Sequence, residues 1–124
     1  MAAEVKMVVV VNMAAKMSIG RLAAQIAHAA TLAILEAGKW TQDHTFYIST
    51  YDDPVLRYWM KENITKVVVK TWGEDQLHSL KAQAEAMDIR TALMVEDDGQ
   101  VTALALGPDL SEKLDPLTGS LPLM

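Results

Sequence analysis

Cysteine is absent from this sequence, which excludes disulfide bonds and thiolate chemistry and favours the reducing cytoplasm as the compartment. Long apolar runs are absent as well. The longest, from Met7 to Val11, falls far short of the roughly 20 residues that cross a bilayer. The opening residues, MAAEVK, include Glu4 and lack the charge pattern of a signal peptide. We therefore expect a soluble cytoplasmic protein.

The usual sequence signatures of metal and nucleotide sites are also missing. His28, His44 and His78 have no metal-ligand spacing and no cysteines to complete a site. The sequence contains no glycine-rich loop of the Walker or dinucleotide-binding type and no G-x-S-x-G nucleophile elbow. We therefore expect neither a metal nor a cofactor.

The net charge of −5 is distributed unevenly along the chain. Residues 1–70 contain eight Lys/Arg and six Asp/Glu, a balance of +2, whereas residues 71–124 contain three and ten, a balance of −7. An even spread of negative charge would argue against a nucleic-acid partner. The observed asymmetry allows a neutral-to-basic face to meet a polyanion while the acidic end points away.

The chain carries enough apolar material for one folded domain. Its 124 residues and 51% hydrophobic composition suit a single domain over residues 1–124. Apolar and β-branched runs predict four strands, at Lys6 to Asn12, Thr65 to Thr71, Thr91 to Val95 and Val101 to Leu106. Capping residues and helical spacing predict helices beginning after Ser18, after Asp53 and near Glu74. This order predicts an α/β fold: a four-stranded mixed sheet with helices on both faces and an antiparallel last pair of strands.

Local signals predict where individual elements end. Ser18 is the expected N-cap of the first helix, which should reach about Ala37, and Gly38 is expected to be left-handed just beyond it. Residues 39–51 fit either an extra edge strand or a folded loop. For the proline-containing tail we expect a loop with at most one helical turn.

A polar stripe runs along the otherwise apolar first helix. At about 100° per residue, Ser18, Arg21, Gln25 and His28 lie within an arc of roughly 80°. The opposite side is apolar and mostly small, consisting of Leu22, Ala23, Ile26, Ala27, Ala30 and Ala33. We expect that side to pack closely against the rest of the protein. The stripe then either lines a site or meets solvent or a partner subunit.

The start of this helix is also where a ligand is expected. Ligands of open α/β sheets bind beyond the carboxyl ends of the parallel strands, and residues 12–21 follow the first strand. Lys16 and Arg21 lie beside the helix N-terminus, whose N–H groups and dipole favour phosphate. They form a candidate phosphate site, the alternative being an ordinary solvated loop.

A second candidate group lies in the turn EDDGQ between the last two strands, where Asp98-Gly99 predicts a tight hairpin. Asp97 or Asp98 could supply a general base, although aspartates beside glycine more often bond their own backbone. The three tryptophans also have two interpretations, since they could stack on bases or fill the core or an interface.

Four segments of the chain resemble a known family: KMVVVVNMAAKMSIGRLAAQIAHAA, VLRYWMKENITKVVVKTWGEDQLHSL, TALMVEDDG, and a C-terminal segment with ALGPDL followed by LDPLTGSLPL. The most specific element is A-A-Q-x-x-H-A, which is matched by Ala23, Ala24, Gln25, His28 and Ala29. On these segments the sequence resembles the type II peptidyl-tRNA hydrolases of archaea and eukaryotes over most of its length, apart from residues 39–51.

The resemblance implies a small α/β enzyme that needs no metal, commonly forms homodimers and cleaves the ester holding a peptide on the 3′ end of tRNA. It implies that Lys16 and Arg21 bind tRNA phosphates. It further implies that Gln25 and His28, together with Lys16, form the reacting centre. Asp97 would help to activate water.

The chain departs from the family pattern in two places. Where the family reads K-M-G-K-G-K, this chain reads KMSIGR from Lys16 to Arg21, with less positive charge. Where the family has D-A-G-R-T-Q and a longer loop, this chain has Asp97 to Gln100 and then a strand, without the Arg-Thr-Gln part. An alternative therefore stays open, an inactive member serving as a dimeric or RNA-binding module. Clearance of N-blocked aminoacyl-tRNA distinguishes the two hypotheses.

Overall fold

Four strands form one mixed sheet in the order β4–β1–β6–β5 in the computed structural model, which describes residues 4–124. The strands of this sheet are β1 (Val5–Asn12), β4 (Lys66–Thr71), β5 (Thr91–Val95) and β6 (Val101–Leu110). β1 and β4 run parallel, while β6 lies antiparallel to both β1 and β5. The predicted mixed sheet and its antiparallel last pair are confirmed.

Helices cover both faces of the sheet, as predicted. They are α1 (Ile19–Leu35), α2 (Pro54–Tyr58), α3 (Glu74–Ala86) and α4 (Ser111–Thr118). Val8 and Val10 of β1 pack in a cluster with α3 and α4, whereas Met7 and Val9 pack in a second cluster with α1. Because successive strand residues point to opposite faces, β1 is buried on both sides, which explains its uninterrupted apolar sequence. No helix within the described residues combines the length and apolar character needed to cross a bilayer.

The first helix begins as predicted and ends differently. The Ser18 side chain accepts a hydrogen bond from the backbone N–H of Arg21, which confirms it as the N-cap. The helix ends at Leu35, and Gly38 does not adopt a positive φ, so its predicted left-handed role is wrong. Glycine is needed there for space, since a Cβ would lie 2.3 Å from Cζ of Phe46 and 2.6 Å from the carbonyl oxygen of Tyr47.

The neighbour that crowds Gly38 is a small hairpin in the segment that allowed two interpretations. β2 (Lys39–Trp40) and β3 (Phe46–Tyr47) pair with each other and form a separate two-stranded sheet. The rings of Trp40 and Phe46 lie 5.2 Å apart between their centroids. The segment therefore contains two short strands that do not join the main sheet.

The tail is more ordered than its prolines predict. α4 has 8 residues, with Pro116 inside it, so the expectation of at most one helical turn is wrong. Burial of Leu114 and Thr118 against the sheet outweighs the poor helix propensity of proline. Beyond this helix the chain runs along the edge of β4, where the N–H of Lys70 donates to the carbonyl oxygen of Pro122 at 3.0 Å.

Candidate functional site

One edge of the sheet gathers the ends of β1, β4 and β5 with the start of β6. Asn12, the last residue of β1, is buried there, and its side-chain Nδ2 donates to the carbonyl oxygen of Val101 at 2.9 Å. Its Oδ1 accepts from the N–H of Ala14 at 3.0 Å. These bonds fix the start of the loop that carries Lys16 against the start of β6.

At this edge, side chains from α1 and from the β5–β6 turn meet at one carboxylate. Oε1 of Glu96 accepts from Nε2 of Gln25 at 2.8 Å and from Arg21 through Nη2 at 3.0 Å and Nε at 3.3 Å. The hydroxyl of Thr102 donates to Oε1 of Gln25 at 2.7 Å. We call these four residues the Glu96 network. It joins the predicted stripe of α1 to the hairpin.

Gln25 lies inside the protein rather than on an open face. Its side chain is 4% exposed and is hydrogen-bonded through both the amide oxygen and the amide nitrogen, so it is held in one orientation. The buried residues of α1 are Gln25, Ala29, Ala30 and Ala33. Ala23 and Ala27 are exposed, so the predicted buried face was wrong at these two positions. The helix is rotated toward the stripe because Gln25 finds polar partners at the sheet edge.

The other stripe and loop residues are open to solvent. His28 and Lys16 are exposed, and neither forms a side-chain hydrogen bond or ion pair within residues 4–124. The side chain of Arg21 is 44% exposed and forms an ion pair with the carboxylate of Glu96. Lys16 is thus the more available of the two predicted phosphate-binding cations.

The acidic turn forms the predicted tight hairpin. The N–H of Glu96 donates to the carbonyl oxygen of Gln100 at 2.9 Å, and Gly99 has a φ of +87°. Oδ1 of Asp98 accepts from the N–H of Gln100 at 2.9 Å, so Asp98 is a turn residue. Asp97 is exposed and directly follows Glu96.

Sequence reasoning missed two members of the Glu96 network. Glu96 stands in the same acidic turn as Asp97, and the predicted hairpin placed both at its first corner. Only the side-chain direction of Glu96, toward α1, distinguishes it, and the turn sequence does not encode that direction. Thr102 lies in a strand with no local polar signal, and its partner Gln25 is 77 residues away in sequence.

A cleft of about 400 Å³ lies at the same edge of the sheet, bordered by Asn12, Ala14, Trp72 and Gln100 among others. Trp72 is exposed, as is Trp40, whereas Trp59 is buried in the core. Among the residues that the structure describes, no group of three His, Asp or Glu side chains could hold a metal ion. The cleft is therefore bordered by side-chain amides and carboxylates and by one aromatic ring.

Comparison with known proteins covers nearly the whole chain. The model of the family described as Peptidyl-tRNA hydrolase PTH2 matches residues 5–124. A peptidyl-tRNA hydrolase of Thermococcus onnurineus is 35% identical over 125 residues, which cover 96% of this chain and 97% of the relative. A peptidyl-tRNA hydrolase of Thermoplasma acidophilum is 32% identical, with the same coverage of both chains.

Proposed function

Because this chain belongs to the peptidyl-tRNA hydrolase PTH2 family and hydrolyses peptidyl-tRNA, we propose that the reaction takes place at the Glu96 network and the residues beside it. The observation that carries this proposal is the hydrogen bonding of Arg21 and Gln25 to Glu96. It brings the family-like helix motif and the shortened hairpin to the same edge of the sheet. This is where ligands of such sheets bind.

In this proposal the exposed groups act on the substrate and the buried ones hold them in place. Lys16 and Arg21 bind phosphates near the acceptor end of the tRNA. His28 orients the attacking water or a ribose hydroxyl, and Asp97 helps to activate that water. Gln25 forms the floor of the reacting centre, where its bond to Glu96 keeps helix and hairpin in register.

The proposed hydrolysis depends mainly on positioning of the water and the ester and on electrostatic stabilisation of the intermediate. An ester is already labile, so holding water and ester together lowers the barrier by removing the entropy cost of their encounter. The ammonium of Lys16 stabilises the oxyanion of the tetrahedral intermediate. Peptide and tRNA leave as the two products.

We expect the reaction to need no metal or cofactor. Clearance of N-acetyl-aminoacyl-tRNA by the purified protein should proceed at the same rate with and without EDTA, because every proposed role belongs to a side chain. The measurement is the rate of release of the blocked amino acid. Loss of activity in EDTA, restored by a divalent cation, would contradict the proposal, and absence of turnover in both conditions would favour an inactive binding module.

Neutralising the two cations should reduce the salt dependence of tRNA binding. For Lys16→Gln with Arg21→Gln we expect the slope of log K against log salt to flatten by up to roughly 1.8, from the loss of up to two phosphate contacts. A matched control is Lys81→Gln with Lys113→Gln, which removes the same charge from ion-paired lysines on α3 and α4. An unchanged slope in the first variant would show that neither cation contacts phosphate.

We also propose that the protein binds tRNA as a homodimer in the cytoplasm and works as one domain. The support for a dimer is the exposed aromatic surface around the small hairpin, where Trp40 is 69% and Tyr51 86% exposed.

Support for the cytoplasm is the absence of cysteine and the substrate itself, which belongs to translation.

A further inference from the structure

Trp72 forms one wall of the cleft that it borders together with Asn12 and Gln100. It directly follows β4 and is 61% exposed. This is unusual, because burial of an indole ring is favourable and most tryptophan side chains in folded proteins are largely buried. Its neighbour Gly73 has a φ of +148°, and nothing lies within 4 Å of where a Cβ would be. The exposed indole ring therefore borders the cleft, where a flat ligand can contact it.

The cleft borders the loop that carries Lys16, since Ala14 and Ala15 line it. Gln100 borders the cleft and accepts the N–H of Glu96, while Asn12 borders it and binds the start of β6. β4 and β1 are neighbours in the sheet, about 4.8 Å apart, so Trp72 lies close to the loop after β1 that carries Lys16. A terminal nucleotide whose base stacks on Trp72 can therefore place its ester beside Lys16.

The charges around the cleft favour a nucleotide base over a phosphate as its ligand. Glu74 and Asp75 border it, and their carboxylates disfavour a phosphate but can accept hydrogen bonds from the exocyclic amino group of a base. Nζ of Lys70 lies 5.9 Å from the centroid of the Trp72 ring. This ammonium supplies positive charge on the strand side, where the sugar-phosphate chain would pass.

We propose that Trp72 is the stacking platform for the base of the 3′-terminal nucleotide of tRNA. The inference rests on the proposed function, since it assigns a subsite of the same substrate. Stacking on an exposed aromatic side chain accepts any base and needs no preformed hydrogen-bond pattern. The stacked base would anchor the acceptor end so that its ester lies beside Lys16.

Binding of deacylated tRNA tests this subsite without relying on turnover. Trp72→Ala should weaken binding of intact tRNA by about 5- to 150-fold, the range for loss of one base stack. Against the same tRNA lacking its terminal nucleotide, variant and wild-type protein should bind equally. Trp72→Phe should retain most of the affinity, and Tyr58→Ala, which removes an exposed aromatic ring from α2, should change nothing.

Hydrolysis of N-acetyl-aminoacyl-tRNA supplies the second measurement. The Trp72→Ala variant should raise KM, with kcat changed less, because the stack holds substrate and transition state alike. Equal affinity of Trp72→Ala and wild-type protein for intact tRNA would overturn the stacking proposal. A defect that persists on truncated tRNA, or that grows with peptide length, would also overturn it, the latter showing that the cleft holds the peptide. Wild-type protein that binds tRNA without hydrolysing it would overturn the proposed function alone.

Discussion

Replacing His28 by alanine should lower kcat for N-acetyl-aminoacyl-tRNA by about 10² to 10⁴, the range for loss of a group that orients or exchanges a proton in the transition state. His28 is exposed and forms no side-chain hydrogen bond within residues 4–124, so its removal leaves no buried group unpaired. Alanine is also a better helix former than histidine. Fold and tRNA affinity should therefore be nearly unchanged.

His78→Ala is the matched control, because His78 is an exposed histidine on α3, the helix on the opposite face of the sheet. Turnover by this variant should equal that of the wild-type protein. The measurements are kcat, KM and the thermal midpoint of both variants. If His28→Ala instead splits a dimer or unfolds the protein, with no specific effect on turnover, the stripe on α1 is structural and the catalytic role of His28 is wrong.

Asp97→Asn should lower kcat by a similar factor of about 10² to 10⁴ if its carboxylate helps to activate water. Asparagine has nearly the same shape and keeps an acceptor oxygen, but it cannot take up a proton. Because Asp97 is exposed, the substitution should leave stability almost unchanged. A rate loss without a change in the thermal midpoint would therefore report chemistry rather than folding.

The adjacent aspartate supplies the control for this variant. Oδ1 of Asp98 holds the N–H of Gln100, and asparagine can make the same bond, so Asp98→Asn should retain nearly full activity. Equal losses in the two variants would show that the hairpin as a whole is sensitive rather than one carboxylate. Full activity of Asp97→Asn would exclude a base at that position and leave Glu96 as the carboxylate nearest to the stripe.

Sequence patterns predicted some features of the candidate site and not others. The motif around Gln25 and His28 predicted the correct helix, and the first strand correctly predicted the edge at which the helix begins. The same patterns could not show that Gln25 is buried while His28 is exposed. That difference depends on how the helix is rotated on the sheet, which is set by the polar groups it meets there.

What the sequence by itself determined are features that depend on neighbours a few residues away. The cap at Ser18, the hairpin at Asp98-Gly99 and the buried strand β1 follow from local hydrogen bonding and side-chain alternation. The cap and the hairpin turn form within a few residues of chain, whereas β1 pairs with the distant strands β4 and β6 and only its uninterrupted apolar run is local. The mixed sheet and the helices on both faces followed from the order of the elements along the chain, and the family followed from the motif around Gln25 and His28.

The tertiary structure alone decided features that join distant residues. Gln25 and Arg21 lie 71 and 75 residues from Glu96, so their shared carboxylate exists only after β5 and β6 have packed beside α1. Gly38 is required by the approach of Phe46, and α4 is helical despite Pro116 because its apolar side chains are buried against the sheet. In each case the free energy of packing or of pairing a buried polar group exceeds the local preference of the residue, and such contacts leave no local pattern in the sequence.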